Sequence, residues 1–253
     1  MITMRRKHWL HFFILSWIIC NALACGHKDD GYRDIRDFYF PLKRLREGLV
    51  YEYRSVNNPQ MAPVYWYFRS LTEKGNKVLT STYYEQDLLP IQHLQEEMVS
   101  NGMLLDKMYL YGPADLNGGR QKRTAADIIA GNVFPFHVRD SGGIFLLHVQ
   151  WKDPADSLIQ HSIVRNRYFE GDTTIELQGR KYRAVKFATK ESYEMDNYGV
   201  FETQYSGIEI YVKGIGLAYY KKNISPELTL EYRLAARYPM KILEERFRQW
   251  YGK

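Results

Sequence analysis

The sequence predicts a mainly β fold, an antiparallel curved sheet or open half-barrel with a short C-terminal helix. Three observations carry this. Aromatic side chains are plentiful, with 21 tyrosines and 12 phenylalanines in 253 residues, and aromatic and β-branched residues suit the pleated surface of strands. Apolar and polar residues alternate in short runs punctuated by Gly, Asn, Asp and Pro. Apolar residues at clear helical spacing occur in the tail, after Pro239. A sheet of this kind curls into a barrel, splits into a sandwich or wraps around a helix.

The elements follow in order. Residues 26 to 37 are polar and charged and read as a tether, and Phe38-Tyr-Phe-Pro41 starts the folded body. Gly48 to Arg54 alternates as a strand, and Asn57-Asn58-Pro59 turns the chain. Val64 to Leu71 and Val78 to Tyr84 form a hairpin across Glu73-Lys74-Gly75-Asn76. Leu88 to Glu97 fits no single template, although Pro90 rules out one uninterrupted helix. Glu97 to Leu105 reads as a second hairpin turning at Asn101-Gly102, and Met108 to Tyr111 continues it. Gly112 to Lys122 is loop, Ala125 to Ala130 is a helical turn or a strand, and Phe134-Pro135-Phe136 resembles an apolar plug.

Beyond the turn Asp140-Ser141-Gly142, Gly143 to Trp151 is an apolar strand, and Ser162 to Phe169 is another. Thr173 to Leu177 and Tyr182 to Ala188 flank the turn Gln178-Gly179-Arg180-Lys181. Val200 to Val212 is strand-rich, and Gly214-Ile215-Gly216 marks a bend or bulge. Leu217 to Lys221 and Leu228 to Leu234 are the last strands. Met240, Leu243, Phe247, Trp250 and Tyr251 then share one face of an amphipathic helix, expected to pack on the sheet.

The N-terminal residues speak to location. Arg5, Arg6 and Lys7 precede a mostly apolar run from Trp9 to Ile19, followed by Ala22-Leu23-Ala24-Cys25. A basic start, a short apolar core and small residues before a cut site make a secretory signal. The run is shorter than the roughly 20 residues of a membrane span, and Asn21 interrupts it. Two cleavage readings compete: an ordinary A-x-A site, or a lipobox in front of Cys25. Cys20 would leave with the signal, so Cys25 would be the one remaining cysteine. An unpaired cysteine at a new N-terminus is accounted for by lipidation. Each buried methylene of the acyl chains adds about 0.8 kcal/mol of membrane affinity. Lys28-Asp29-Asp30 resembles the lysine-plus-two-acids export signal of Bacteroidota surface lipoproteins. That resemblance implies an outer-membrane lipid anchor facing the medium. The alternatives are a periplasmic or secreted protein. The expected organisation is a signal peptide over 1–24, a lipidated cysteine and tether over 25–37, and a single β-rich domain over 38–253.

Loss of residues 1–24 leaves 229 residues, enough for a sizeable core. It also removes Arg5, Arg6 and Lys7, lowering the net charge from +6 to +3. With Arg120-Gln121-Lys122-Arg123 as the sole basic block, a nucleic-acid partner is not expected.

Tyr211-Val-Lys-Gly-Ile-Gly-Leu-Ala-Tyr219, after the hairpin Gly179-Arg-Lys-Tyr-Arg-Ala-Val185, is similar to a segment of uncharacterised envelope proteins. Those proteins look like relatives of the LolA/LolB carriers. The resemblance covers the last third of the chain and implies an open half-barrel covered by helices.

No catalytic constellation stands out. His93, His137, His148 and His161 are scattered without ligand spacing, so no metal or cofactor is expected. Asp140-Ser141-Gly142-Gly143 lacks the G-x-S-x-G elbow. Glu96 and Glu97, as strand neighbours, point to opposite faces and do not converge. The chemistry leans away from an enzyme. The expected function is a non-catalytic envelope lipoprotein binding an apolar or amphiphilic ligand or a partner protein. Trp66, Phe68, Phe145 and Trp151 are the expected ligand-facing residues. The alternatives are a scaffold component of a surface complex and a glycan-binding protein.

Overall fold

Strand alternation along nearly the whole body leaves many backbone edges to be paired, and closing the sheet on itself removes them. The computed structural model describes residues 31–85, 88–113, 121–139 and 142–251. The signal segment, Cys25, Lys28, Asp29 and Asp30 lie outside the described residues.

Among the described residues there are fifteen strands: β1 (Tyr32–Asp34), β2 (Leu49–Ser55), β3 (Val64–Glu73), β4 (Asn76–Tyr84), β5 (Pro90–Val99), β6 (Gly102–Tyr111), β7 (Arg123–Ala125) and β8 (Asp127–Pro135), then β9 (His137–Arg139), β10 (Phe145–Lys152), β11 (Gln160–Leu177), β12 (Arg180–Asp196), β13 (Val200–Val212), β14 (Gly216–Asn223) and β15 (Thr229–Tyr238). One antiparallel sheet runs β5-β4-β3-β2-β15-β14-β13-β12-β11-β10-β8-β6, and β5 pairs back onto β6. The expected curved sheet is thus a twelve-stranded barrel. β7 adds to the free part of β6, and β1 pairs with β9 in a separate two-stranded sheet.

Local chemistry explains the turns. Lys74-Gly75 and Gln178-Gly179 all have φ between +50° and +89°, the left-handed pair that a two-residue hairpin requires. Ser162 to Phe169 and Thr173 to Leu177 are one strand, β11, because a bulge between Phe169 and Gly171 bends it without breaking it. Pro90 opens β5 at the sheet's start, and Ala125 to Ala130 resolves into the end of β7 and the start of β8. There the missing proline donor costs no ladder bond.

Within the stretch read as a tether, Tyr32–Asp34 form β1 and Ile35 is fully buried. Two 3₁₀ turns, Arg36–Phe38 and Leu42–Leu45, follow. They fold Phe38, Tyr39, Phe40 and Leu45 into the barrel end that carries the β5–β6 and β13–β14 turns. The Ile35 N–H donates to the Phe136 carbonyl at 2.8 Å, and the Gly214 N–H to the Asp37 carbonyl at 2.9 Å. Phe134 and Phe136 join this plug. Phe40 stacks on Phe68 with ring centroids 4.2 Å apart. Gly216, at φ +100°, makes room for it, since a Cβ there would lie 2.5 Å from the Phe40 ring.

The C-terminal helix α1 (Met240–Tyr251) lies outside the barrel wall. Leu243 and Phe247 are buried against Val50, Tyr65 and Tyr238. Beneath α1, Glu52 is 2% exposed and accepts from Tyr238 Oη (2.8 Å), Arg246 Nη1 (2.9 Å) and Arg54 Nε (2.7 Å). Burial would raise this carboxyl's pKa, but those three donors hold it below the usual range.

Candidate functional site

Alternation sends every second residue of each strand inward, and in this barrel the inward residues stop short of filling the space. A cavity of about 520 Å³ remains, within the roughly 300–1,000 Å³ typical of small-molecule sites. Tyr39 and Phe40 of the plug line it at one end. On the β14 side it reaches solvent, where the lining residue Lys222 is 34% exposed.

Its wall has three sectors, each built by neighbouring strands. The first is aromatic: Tyr53, Trp66, Phe68, Tyr83, Tyr220 and Tyr232, from β2, β3, β4, β14 and β15. Trp66 stacks on Tyr83 at 5.3 Å, and Tyr220 on Tyr232 at 5.3 Å. The second is aliphatic, with Leu94, Leu105, Met108, Leu147, Val149 and Ile163 from β5, β6, β10 and β11.

The third sector is ionic. On β11, Arg165 and Arg167 share a face: Arg165 reaches Glu191 on the adjoining β12, and Arg167 reaches across β12 to Glu209 on β13. Arg167 Nε donates to Glu209 Oε2 at 2.8 Å and Nη2 to Oε1 at 3.3 Å. Tyr211 Oη adds a bond to Glu209 at 3.1 Å. Burial would raise the Glu209 pKa, yet Arg167 and Arg165 beside it keep it lowered. Arg165 and Lys222 both donate to Glu191. Burial again pushes upward there, but the two cations hold this carboxyl down at about 2. Deeper, the Tyr39 hydroxyl donates to Glu96. Full burial lifts Glu96 to about 7, against the lowering pull of Tyr39 and Arg167.

Of the residues singled out from sequence, Trp66 and Phe68 line the cavity side by side, 6.2 Å apart. Phe145 packs at the edge of the core against Phe187, at 6.4 Å. Trp151 stacks on His161 at 5.1 Å, and His161 in turn meets Tyr193 Oη (2.8 Å) and Asp153 Oδ2 (3.1 Å). Neither Phe145 nor Trp151 belongs to the cavity lining. Glu96 and Glu97 diverge: Glu96 is buried in the cavity wall, while Glu97 meets Asn76 at the surface. Sequence reasoning missed the ionic sector. Its signal was present in Ile163-x-Arg165-x-Arg167-x-Phe169, where two arginines share the face of two apolar residues.

Among the described residues, no group of three or more His, Cys, Asp or Glu side chains is placed to hold a metal. No helix among them is long and apolar enough to cross a membrane. Chemically, the cavity offers flat aromatic faces, aliphatic surface and fixed charge around one space open to solvent.

Among solved structures, the fold is similar to that of a candidate lipoprotein from Parabacteroides distasonis ATCC 8503. The two share 10% identity and a TM-score of 0.52, over 78% of this chain and 95% of that one. A candidate exported protein with a YmcC-like fold from Bacteroides fragilis NCTC 9343 aligns at 9% identity and a TM-score of 0.46, over 79% of this chain and 99% of that one. No family model and no curated protein matches the chain. The likeness to the Parabacteroides protein is one of fold.

Proposed function

We propose that this chain is a non-catalytic lipoprotein of the bacterial envelope whose barrel holds an apolar or amphiphilic ligand. One observation carries the reading: the unfilled cavity of about 520 Å³, with apolar and charged sectors in one wall. Trp66 and Phe68 are the ligand-facing aromatics, and Tyr220 and Tyr232 extend their surface. An interior kept unfilled forgoes packing contacts that a closed core would gain. Binding an apolar ligand restores them.

The location rests on the N-terminal residues. Cys25 carries the lipid, and Lys28, Asp29 and Asp30 direct the protein to the outer face of the outer membrane. Replacing Cys25 with Ser releases the protein from membranes in a fractionation assay, and unchanged fractionation overturns the anchor. Ligand holding is tested by native mass spectrometry of the protein purified from a bacterial envelope. The expected result is an added mass that disappears on delipidation. A bare mass, with no uptake of added amphiphiles, overturns the reading.

A further inference from the structure

The geometry points to an anionic head group on the cavity's ligand, received by Arg165 and Lys222, with its apolar part against the aromatic and aliphatic sectors. This rests on the reading of the cavity as an amphiphile site and names the chemistry that the site selects. The charge census of the lining carries the argument. The lining includes four cationic side chains, Arg165, Arg167, Lys221 and Lys222, and three carboxylates, Glu96, Glu191 and Glu209. The pairs are unequal. Arg167 and Glu209 satisfy each other in a two-pronged pair, closed by Tyr211. Glu191, by contrast, is shared by two cations, Arg165 and Lys222. Arg165 Nη1 lies 4.0 Å from Glu209 Oε1, whose partner is already Arg167. One unit of positive charge is therefore left uncompensated beside the shared carboxylate.

Position agrees with chemistry. Arg165 is 29% and Lys222 34% exposed, at the part of the cavity that reaches solvent, whereas Arg167 is 6% exposed. Lys222 Nζ also sits 4.1 Å from the centre of the Tyr205 ring, which steadies it over the cavity. An acidic group arriving there meets charge-assisted donors, while its apolar part lies along Trp66 and the leucines of the wall. A cationic head group would meet uncompensated positive charge, and a neutral one would leave it unbalanced.

The test is a comparison of three sixteen-carbon probes on the full chain: hexadecanoate, hexadecanol and hexadecyltrimethylammonium. Intrinsic tryptophan fluorescence and native mass spectrometry read the binding. Hexadecanoate is expected to bind at least tenfold more tightly than hexadecanol, and the ammonium probe most weakly. Lys222→Met should bring hexadecanoate and hexadecanol to within about threefold of each other through a loss of hexadecanoate binding. Glu191→Gln, which removes the shared carboxylate, should tighten hexadecanoate binding and serves if Lys222→Met does not fold. Equal binding of all three probes overturns the head-group assignment and leaves the amphiphile site standing. Binding of none overturns both.

Discussion

Glu96 and its sequence neighbour Glu97 meet opposite environments, the first buried and the second at the surface. Glu96 is buried at the plug, where Tyr39 from the plug segment, Arg167 from β11 and Tyr211 from β13 face it. Burial raises its pKa from 4.5 to about 7. A carboxyl raised on folding contributes stability that is full below its unfolded value and is lost as pH rises through the folded one. Glu96 thus favours the fold below about pH 4.5 and loses that contribution by about pH 7. Glu96→Gln, fixed in the neutral form, should match the parent near pH 4.5 and exceed it at pH 8 by something of order 3 kcal/mol. Urea titrations at the two values check this, and a pH-independent difference between the proteins would refute it. Glu191 acts in the opposite sense. Held at about 2, it supports the fold above the ordinary carboxylate range and releases that support as pH falls from about 4.5 toward 2.

At the scale of elements, α1 and the plug are both small pieces that cover large apolar surfaces. Leu243 is fully buried between α1 and the outer wall. Leu243→Ala should cost about 2–5 kcal/mol, read as a lowered denaturation midpoint with the same slope. Gly216→Ala tests the seat of the plug. The substitution must adopt φ +100° and displace the Phe40 ring at 2.5 Å, so the expected loss is about 1–3 kcal/mol for the backbone alone. An unchanged midpoint would show that the plug yields freely. Both elements were partly legible beforehand. The apolar spacing of α1 is a local pattern, and it marks the buried Leu243 and Phe247, whereas Trp250, assigned to the same face, is 58% exposed because it lies beyond the last contact with the wall and rests on Phe247. Phe134-Pro135-Phe136 read as a plug, but the larger plug, Phe38 to Leu45, offers no periodicity, because its side chains fill a hole shaped by distant strands.

For the whole molecule, closure is the defining event. β5 and β6 join the two ends of the strand order through pairs such as Gln92↔Leu110 and Val99↔Gly102. Amide hydrogen exchange should therefore find the β5 amides protected on both edges, to the level of β12 in the middle of the order. Rapid exchange of alternate β5 amides would mean an open edge and overturn closure. Most pairings join sequence neighbours, whereas β2–β15 brings residues near 50 beside residues near 235. Folding that waits on so distant a contact is expected in the millisecond-to-second range.

What the sequence determined alone is what depends on short-range order: strand alternation, the Lys74-Gly75 and Gln178-Gly179 turns, the helical stripe after Pro239 and the β-rich class. These follow from side-chain period and backbone freedom within a few residues. The tertiary structure decided whether the curved sheet would close, which aromatics would face a cavity and which would fill the core, and which charges would meet. Trp66 and Trp151 sit in similar local patterns, yet one lines the cavity and the other stacks on His161. Arg165, Glu191 and Lys222 are scattered along the chain and become one cluster because β11 to β14 lie side by side. The physical reason is that period assigns a residue to a face, while barrel closure assigns that face its surroundings.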